Sequence, residues 1–316
     1  MAPWASGHRD AVRPARIITL ALALVLLAGC VVGAAPQPAR MSSPASATPG
    51  EYTTVDVAGR PVHLYTPATP GSGTARGLVV VLHGYTGDAA RTVDFFGLRA
   101  LAGRRGFVIA APEGTTDSQG NTFWNASRAC CNFQGSDVDD SGFLSRVIDT
   151  VVAAQALDPS RVYVVGHSNG GFMAHTFACE HADQVAAIAS LAGAMDTDAA
   201  CHPAQPVSVL QVHGTADDSI LFNGGEINAQ PYTSASATVA RWRTADRCRG
   251  DVRTGPRLDA DANVVGKDLT ATTWTTCQDG TEVALWTIAG GSHIPTLTPA
   301  FTAALVDWLE AHHRAG

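Results

Sequence analysis

The chain has 316 residues, of which 46% are hydrophobic and 16% charged, and its formal net charge at pH 7 is −7. Such a composition can bury a sizeable core and lacks the polar, highly charged character of a disordered chain. The mild acidic balance excludes the basic footprint of a nucleic-acid-binding protein, so no nucleic-acid partner is expected.

At the N-terminus, Arg9, Arg13 and Arg16 precede an apolar run from Ile17 to Leu27, which ends in Leu27-Ala28-Gly29-Cys30. A basic start, a short apolar stretch and small residues at the end make a secretory signal. The run is too short to span a bilayer comfortably as a permanent helix. Leu-Ala-Gly-Cys resembles a bacterial lipobox, which implies lipidation of Cys30 and attachment to the membrane. A plain signal peptide cut near Ala34-Ala35 is the alternative. Residues 1–29 are then the signal and residues 30–50, rich in Ala, Pro and Ser, a flexible tether. Residues 51–316 are expected to form one catalytic domain outside the cell, with no second composition boundary.

Within that domain, residues 52–57 and 61–65 flank Ala58-Gly59-Arg60 and read as an antiparallel hairpin. Residues 77–83 and 107–112 are unbroken apolar runs, the pattern of strands covered on both faces, and a helix is expected between them at 91–104. A second helix is expected to start at Ser136, as cap with Asp139 three residues on, and to run to Ala156. Strands follow at 161–166, 185–191, 207–212 and 283–288, the last of the series, with helices at 169–180 and 233–245. A C-terminal amphipathic helix over 297–313 carries Phe301, Leu305, Trp308 and Leu309 on one face. Strand and helix alternation after a hairpin gives an α/β fold, with a mostly parallel central sheet, an N-terminal antiparallel hairpin and helices on both faces.

Setting Cys30 aside leaves six cysteines, an even number that suits three disulfides in an oxidising compartment. Proximity favours Cys179–Cys201 and Cys248–Cys277, which leaves Cys130–Cys131 as a vicinal bridge needing unusual peptide geometry. No C-x-x-C spacing occurs, so no zinc is expected. The acidic cluster Asp137, Asp139, Asp140 suits a helix start without any metal.

The chemistry-bearing motif is Gly166-His167-Ser168-Asn169-Gly170, a G-x-S-x-G that follows one strand and opens the next helix. That context is the one a nucleophile elbow requires, with Ser168 projecting from a sharp turn. A serine hydroxyl needs a base. His293, in the loop between the last strand and the last helix, fits that place, whereas His312 and His313 are expected to be solvated at a frayed end. His167 and His175 read as packing or capping residues. The acid that orients the base is expected after strand 207–212, where Asp217 and Asp218 stand side by side. The oxyanion needs two N–H donors. The Asn169 amide supplies one and the Tyr85 amide, in His83-Gly84-Tyr85-Thr86-Gly87, the other.

Taken in order, LHGYTGDA (82–89), FWNASRACCNF (123–133), GHSNGG (166–171), HGTADDSI (213–220) and GGSHIP (290–295) resemble the polyhydroxybutyrate-depolymerase-like and feruloyl-esterase-like hydrolases, most of all their actinobacterial lipoprotein esterases. The resemblance spans residues 52–313. It implies an α/β-hydrolase fold and hydrolysis of carboxylic esters without a cofactor, with Ser168, Asp217 and His293 as triad and the Tyr85 and Asn169 amides as oxyanion hole. It also suggests that Trp124 and Asn125 lie near the substrate cleft, where Trp124 either stacks on an aromatic acyl group or polymer chain or is a buried core residue; His167, beside the nucleophile, is a further candidate substrate contact. Small or oligomeric esters are the expected substrates, since no module for binding solid polymer is visible. A serine peptidase on the same fold, or a silent surface lipoprotein that binds glycans or polyesters, are the competing expectations.

Overall fold

Unbroken runs of β-branched and aliphatic residues cannot be half-exposed, and in this chain they become strands covered on both faces. The computed structural model describes residues 52–67, 76–198, 200–250, 252–255 and 257–314. The signal, Cys30 and the tether lie outside the described residues. Strands β1 (Tyr52–Val57) and β2 (Arg60–Tyr65) form the hairpin. β3 (Leu78–Leu82) leads through α1 (Ala89–Phe95) and α2 (Leu98–Arg105) to β4 (Val108–Pro112). A small hairpin of β5 (Thr115–Thr116) and β6 (Thr122–Phe123) precedes α3 (Asp140–Gln155). Then come β7 (Val162–His167), α4 (Asn169–Glu180), β8 (Ala187–Leu191) and β9 (Ser208–Gly214). A second small hairpin, β10 (Gly225–Ile227) with β11 (Gln230–Tyr232), leads into α5 (Ala235–Ala245). β12 (Val252–Thr254), β13 (Leu269–Trp274), β14 (Val283–Ile288) and α6 (Pro299–Glu310) complete the series.

Among the described residues ten strands form one sheet, in the order β1-β2-β4-β3-β7-β8-β9-β14-β13-β12. The six from β4 to β14 are mutually parallel, and both edges are antiparallel. Alternate residues of each strand serve two cores. Leu78, Val80 and Leu82 pack with Phe143, Phe172 and Trp242 of α3, α4 and α5. Val79 and Val81 pack with Phe96 at the end of α1, Leu101 of α2, and Phe301 and Leu305 of α6. The α/β architecture with helices on both faces is therefore as expected.

Four local expectations are corrected. The helix expected over 91–104 is two helices, because Gly97 sits in the left-handed region (φ 65°) and breaks it. Ser136 is not a helix cap: its N–H donates to Asn132 Oδ1, and the helix starts later, with Asp139 accepting from the Gly142 N–H at 2.7 Å. The sheet has a second antiparallel edge, β13 and β12, which the sequence reading lacked. β13 is LTATTW, and its threonines carry none of the apolar run that marks a buried strand. His312 is buried rather than solvated, with Nδ1 donating to the Trp308 carbonyl and Nε2 3.6 Å from Glu282.

Candidate active site

Four loops converge at the carboxyl ends of parallel strands, where open α/β sheets form their crevices. Ser168 follows β7, Asp217 follows β9, His293 follows β14, and the 83–87 loop follows β3. Ser168 caps α4 in a sparsely populated conformation (φ 55°, ψ −119°), held by its own N–H to the Leu191 carbonyl (2.8 Å). Two glycines permit the turn by close approach. A Cβ on Gly166 would lie 2.0 Å from the Gly170 oxygen, and one on Gly170 would lie 2.3 Å from the Leu82 oxygen.

The Ser168 Oγ donates to His293 Nε2 at 2.9 Å, and His293 Nδ1 donates to Asp217 Oδ2 at 2.8 Å. Asp217 Oδ1 accepts the backbone N–H groups of Ser219 (3.0 Å) and Ile220 (2.8 Å). Of the two adjacent acids it is thus Asp217 that faces the imidazole; Asp218 is exposed and accepts from Ser219 Oγ. Burial pushes the Asp217 carboxyl up, but the hydrogen bonds from His213, His293 and the Ile220 amide outweigh it and hold the group well below the usual carboxylate range. The acid and base loops are stitched together: Ala216 N–H donates to the Gly291 carbonyl (3.0 Å) and Gly290 N–H to Thr215 Oγ1 (2.8 Å).

The 83–87 loop lies against the serine. A Cβ on Gly84 would sit 3.3 Å from that of Ser168, and among the described residues the N–H groups of Tyr85 and Asn169 take no protein acceptor. Buried His83 braces this loop, its Nδ1–H donating to the Gly84 carbonyl (2.7 Å) and its Nε2 accepting the Gly114 N–H (2.8 Å). Burial lowers the His83 imidazole, which keeps that neutral tautomer.

Three side chains expected at the cleft do other work. Trp124 is fully buried and offers no face to a substrate. Its indole N–H donates to the His83 carbonyl (3.0 Å), and its backbone pairs with the Asn169 side chain in both directions (2.7 and 3.1 Å). Asn125 spends its amide on the Val138 carbonyl and on Asn132, while its N–H goes to Asp140. His167 donates from Nε2 to the His293 carbonyl (2.9 Å) with its ring between Phe95 and His293, and burial pushes it down to about 4. These three hold the site together. Two members of the acidic cluster have partners within the chain. Asp140 pairs with Arg60 (2.5 Å) and accepts from Thr115 (3.0 Å), and Asp139 caps α3. The six cysteines of the domain lie in the pairs Cys130–Cys131, Cys179–Cys201 and Cys248–Cys277. Sequence reasoning missed the bracing roles of His83 and Asp140, because each depends on a partner 31 or 80 residues away.

Comparison with known proteins agrees with this architecture. The family model described as alpha/beta hydrolase fold matches residues 77–234. The chain is 30% identical over 242 residues to the candidate esterase NocK of Nocardia uniformis subsp. tsuyamanensis, covering 72% of this chain and 67% of that one. It is 28% identical over 225 residues to feruloyl esterase B of Piromyces equi, covering 68% of this chain but only 39% of the relative's length. The solved acetyl xylan esterase from Aspergillus awamori shares the fold, with a TM-score of 0.59 at 17% identity over 83% of this chain and 99% of that one. With the elbow, the parallel sheet and these matches together, the chain belongs to the alpha/beta hydrolase fold family.

Proposed function

We propose that this protein is a serine carboxylesterase with Ser168 as nucleophile, His293 as general base and Asp217 as the acid that orients it. The observation that carries this reading is the continuous line Ser168 Oγ–His293 Nε2 (2.9 Å) and His293 Nδ1–Asp217 Oδ2 (2.8 Å), set on a strained elbow. His293 takes the Ser168 proton as Oγ attacks the ester carbonyl, and Asp217 stabilises the imidazolium that forms. The Tyr85 and Asn169 amides hold the oxyanion. His293 then protonates the departing alcohol, and water activated by the same imidazole releases the acid and restores the serine. These residues suffice without a cofactor.

Small and oligomeric esters are the proposed substrates: acetyl and feruloyl esters and hydroxyalkanoate oligomers. The Tyr85 ring packs edge-to-face on the exposed Phe133 ring at 5.3 Å, an apolar rim beside the loop that would hold the oxyanion, and Ile294 is exposed next to His293. Both suit an apolar or aromatic acyl body. Three disulfides and the basic-apolar N-terminus support export, with Cys30 as the proposed membrane anchor. A panel of p-nitrophenyl acetate, p-nitrophenyl butyrate, methyl ferulate, a hydroxybutyrate trimer and a peptide p-nitroanilide tests the reading. At least one ester is expected to exceed the anilide in kcat/KM by about 100-fold or more. Preference for the anilide would replace the esterase with a peptidase, and no turnover of any member would favour a binding protein.

A further inference from the structure

A buried file of polar side chains runs inward from Asp217 and takes no part in the steps above. Gln211 and His213 stand two apart on β9 and so face the same side of the sheet. His175 comes from α4 and Trp242 from α5, and none of the four is more than 1% exposed. Trp242 Nε1 lies 3.0 Å from His175 Nδ1, and His175 Nε2 lies 2.9 Å from Gln211 Oε1. Gln211 Nε2 lies 3.2 Å from His213 Nδ1. His213 Nε2 is 2.7 Å from the Ile220 carbonyl and 3.3 Å from Asp217 Oδ2.

Donor chemistry gives this file one direction. An indole N–H only donates, so His175 Nδ1 accepts and carries no proton. The His175 proton is then on Nε2 and goes to Gln211 Oε1. Gln211 therefore turns its amide nitrogen the other way, with its two protons on the Gly193 carbonyl (2.9 Å) and on His213 Nδ1. That leaves the His213 proton on Nε2. The far end gives the same answer on its own, because the Ile220 carbonyl can only accept. Burial pushes His175 down to about 4, in keeping with a neutral ring.

We infer that His213 is a positioning residue for Asp217, held by Gln211, His175 and Trp242 in the tautomer whose N–H faces the Ile220–Asp217 turn. The inference rests on the reading of Asp217 as the triad acid. Asp217 Oδ1 is then tied by two amides and Oδ2 by His293, while the His213 N–H holds the Ile220 carbonyl at 2.7 Å and lies 3.3 Å from Oδ2, which fixes the turn that carries the Ile220 amide behind the carboxylate.

Two measurements on the full-length protein test it. Long-range proton–nitrogen correlation on the ¹⁵N-histidine-labelled protein should show His175 and His213 as Nε2–H tautomers at neutral pH. An Nδ1–H tautomer at either overturns the chain. In parallel, His213→Leu should lower kcat for p-nitrophenyl acetate by about 100-fold with little change in KM, the scale expected when a reacting group is misplaced by about 1 Å. His213→Gln keeps an N–H donor toward the Ile220–Asp217 turn and should recover most of that loss. A soluble His213→Leu protein within about threefold of wild-type kcat, or a Gln variant no better than the Leu variant, overturns the positioning role. If the esterase reading itself is wrong, wild type shows no Ser168-dependent turnover, whereas the tautomers still decide the hydrogen-bond file.

Discussion

Ser168→Ala and His293→Ala should each lower kcat for ester hydrolysis by about 10⁴–10⁶-fold, and the double variant should be no slower than either alone. The expectation follows from the geometry. The base can act only through the serine hydroxyl 2.9 Å away, so removing either group removes the whole nucleophilic route. Losses that multiplied instead would mean that the two residues act independently. Asp217→Asn should cost about 10³–10⁴-fold, because the imidazole loses the anion that fixes its tautomer. Exposed Asp218→Asn should leave the rate within about twofold, since surface substitutions away from special features have small effects. Steady-state kinetics on the purified variants decide each of these. Equal losses at 217 and 218 would contradict the assignment of the acid.

A large effect on folding is expected at Gly170. Helix propensity alone favours alanine there by about 1 kcal/mol. Against that, an alanine Cβ would lie 2.3 Å from the Leu82 oxygen and 2.7 Å from the His83 oxygen, backbone atoms at the end of β3 and the start of the 83–87 loop. Neither can rotate out of the way. Gly170→Ala should therefore destabilise the protein by about 3 kcal/mol or more. That would lower Tm by roughly 6–12 °C. It should also cut turnover, because the clash pushes the elbow away from the Tyr85 amide. Thermal unfolding with a wild-type Tm in the variant would show that the elbow and the β3 loop are not in the contact described.

How far the molecule could be read from its chain depends on whether a feature is local. β3, β4 and β7 are legible because buried parallel strands need uninterrupted apolar residues, and LVVVL and VYVV have them. β12 and β13 are not, because threonine-rich segments at an edge look like loops. The break at Gly97 and the late start of α3 turn on single residues, Gly97 with positive φ and Asp139 as the cap, that a period count does not weigh. Ser168, Asp217 and His293 could be located because each sits in a short motif at the end of a recognisable strand. The role of Trp124 stayed open between cleft and core for the opposite reason. An aromatic beside the Cys130–Cys131 pair looks like a substrate platform, and only its burial under the 83–87 loop shows it to be a brace. The file from Trp242 to His213 was invisible, since His175 and Trp242 are 67 residues apart and meet only when α4 and α5 pack on one face.

The central claim is that one serine is made nucleophilic by one histidine. It is tested most directly by treating wild-type protein with a fluorophosphonate, then measuring the intact mass and mapping the modified peptide. A single phosphonyl adduct on Ser168 is expected, formed in step with the loss of ester hydrolysis and absent from His293→Ala. Full inactivation with the adduct on another residue, or an unmodified Ser168 in a protein that still hydrolyses esters, would contradict it.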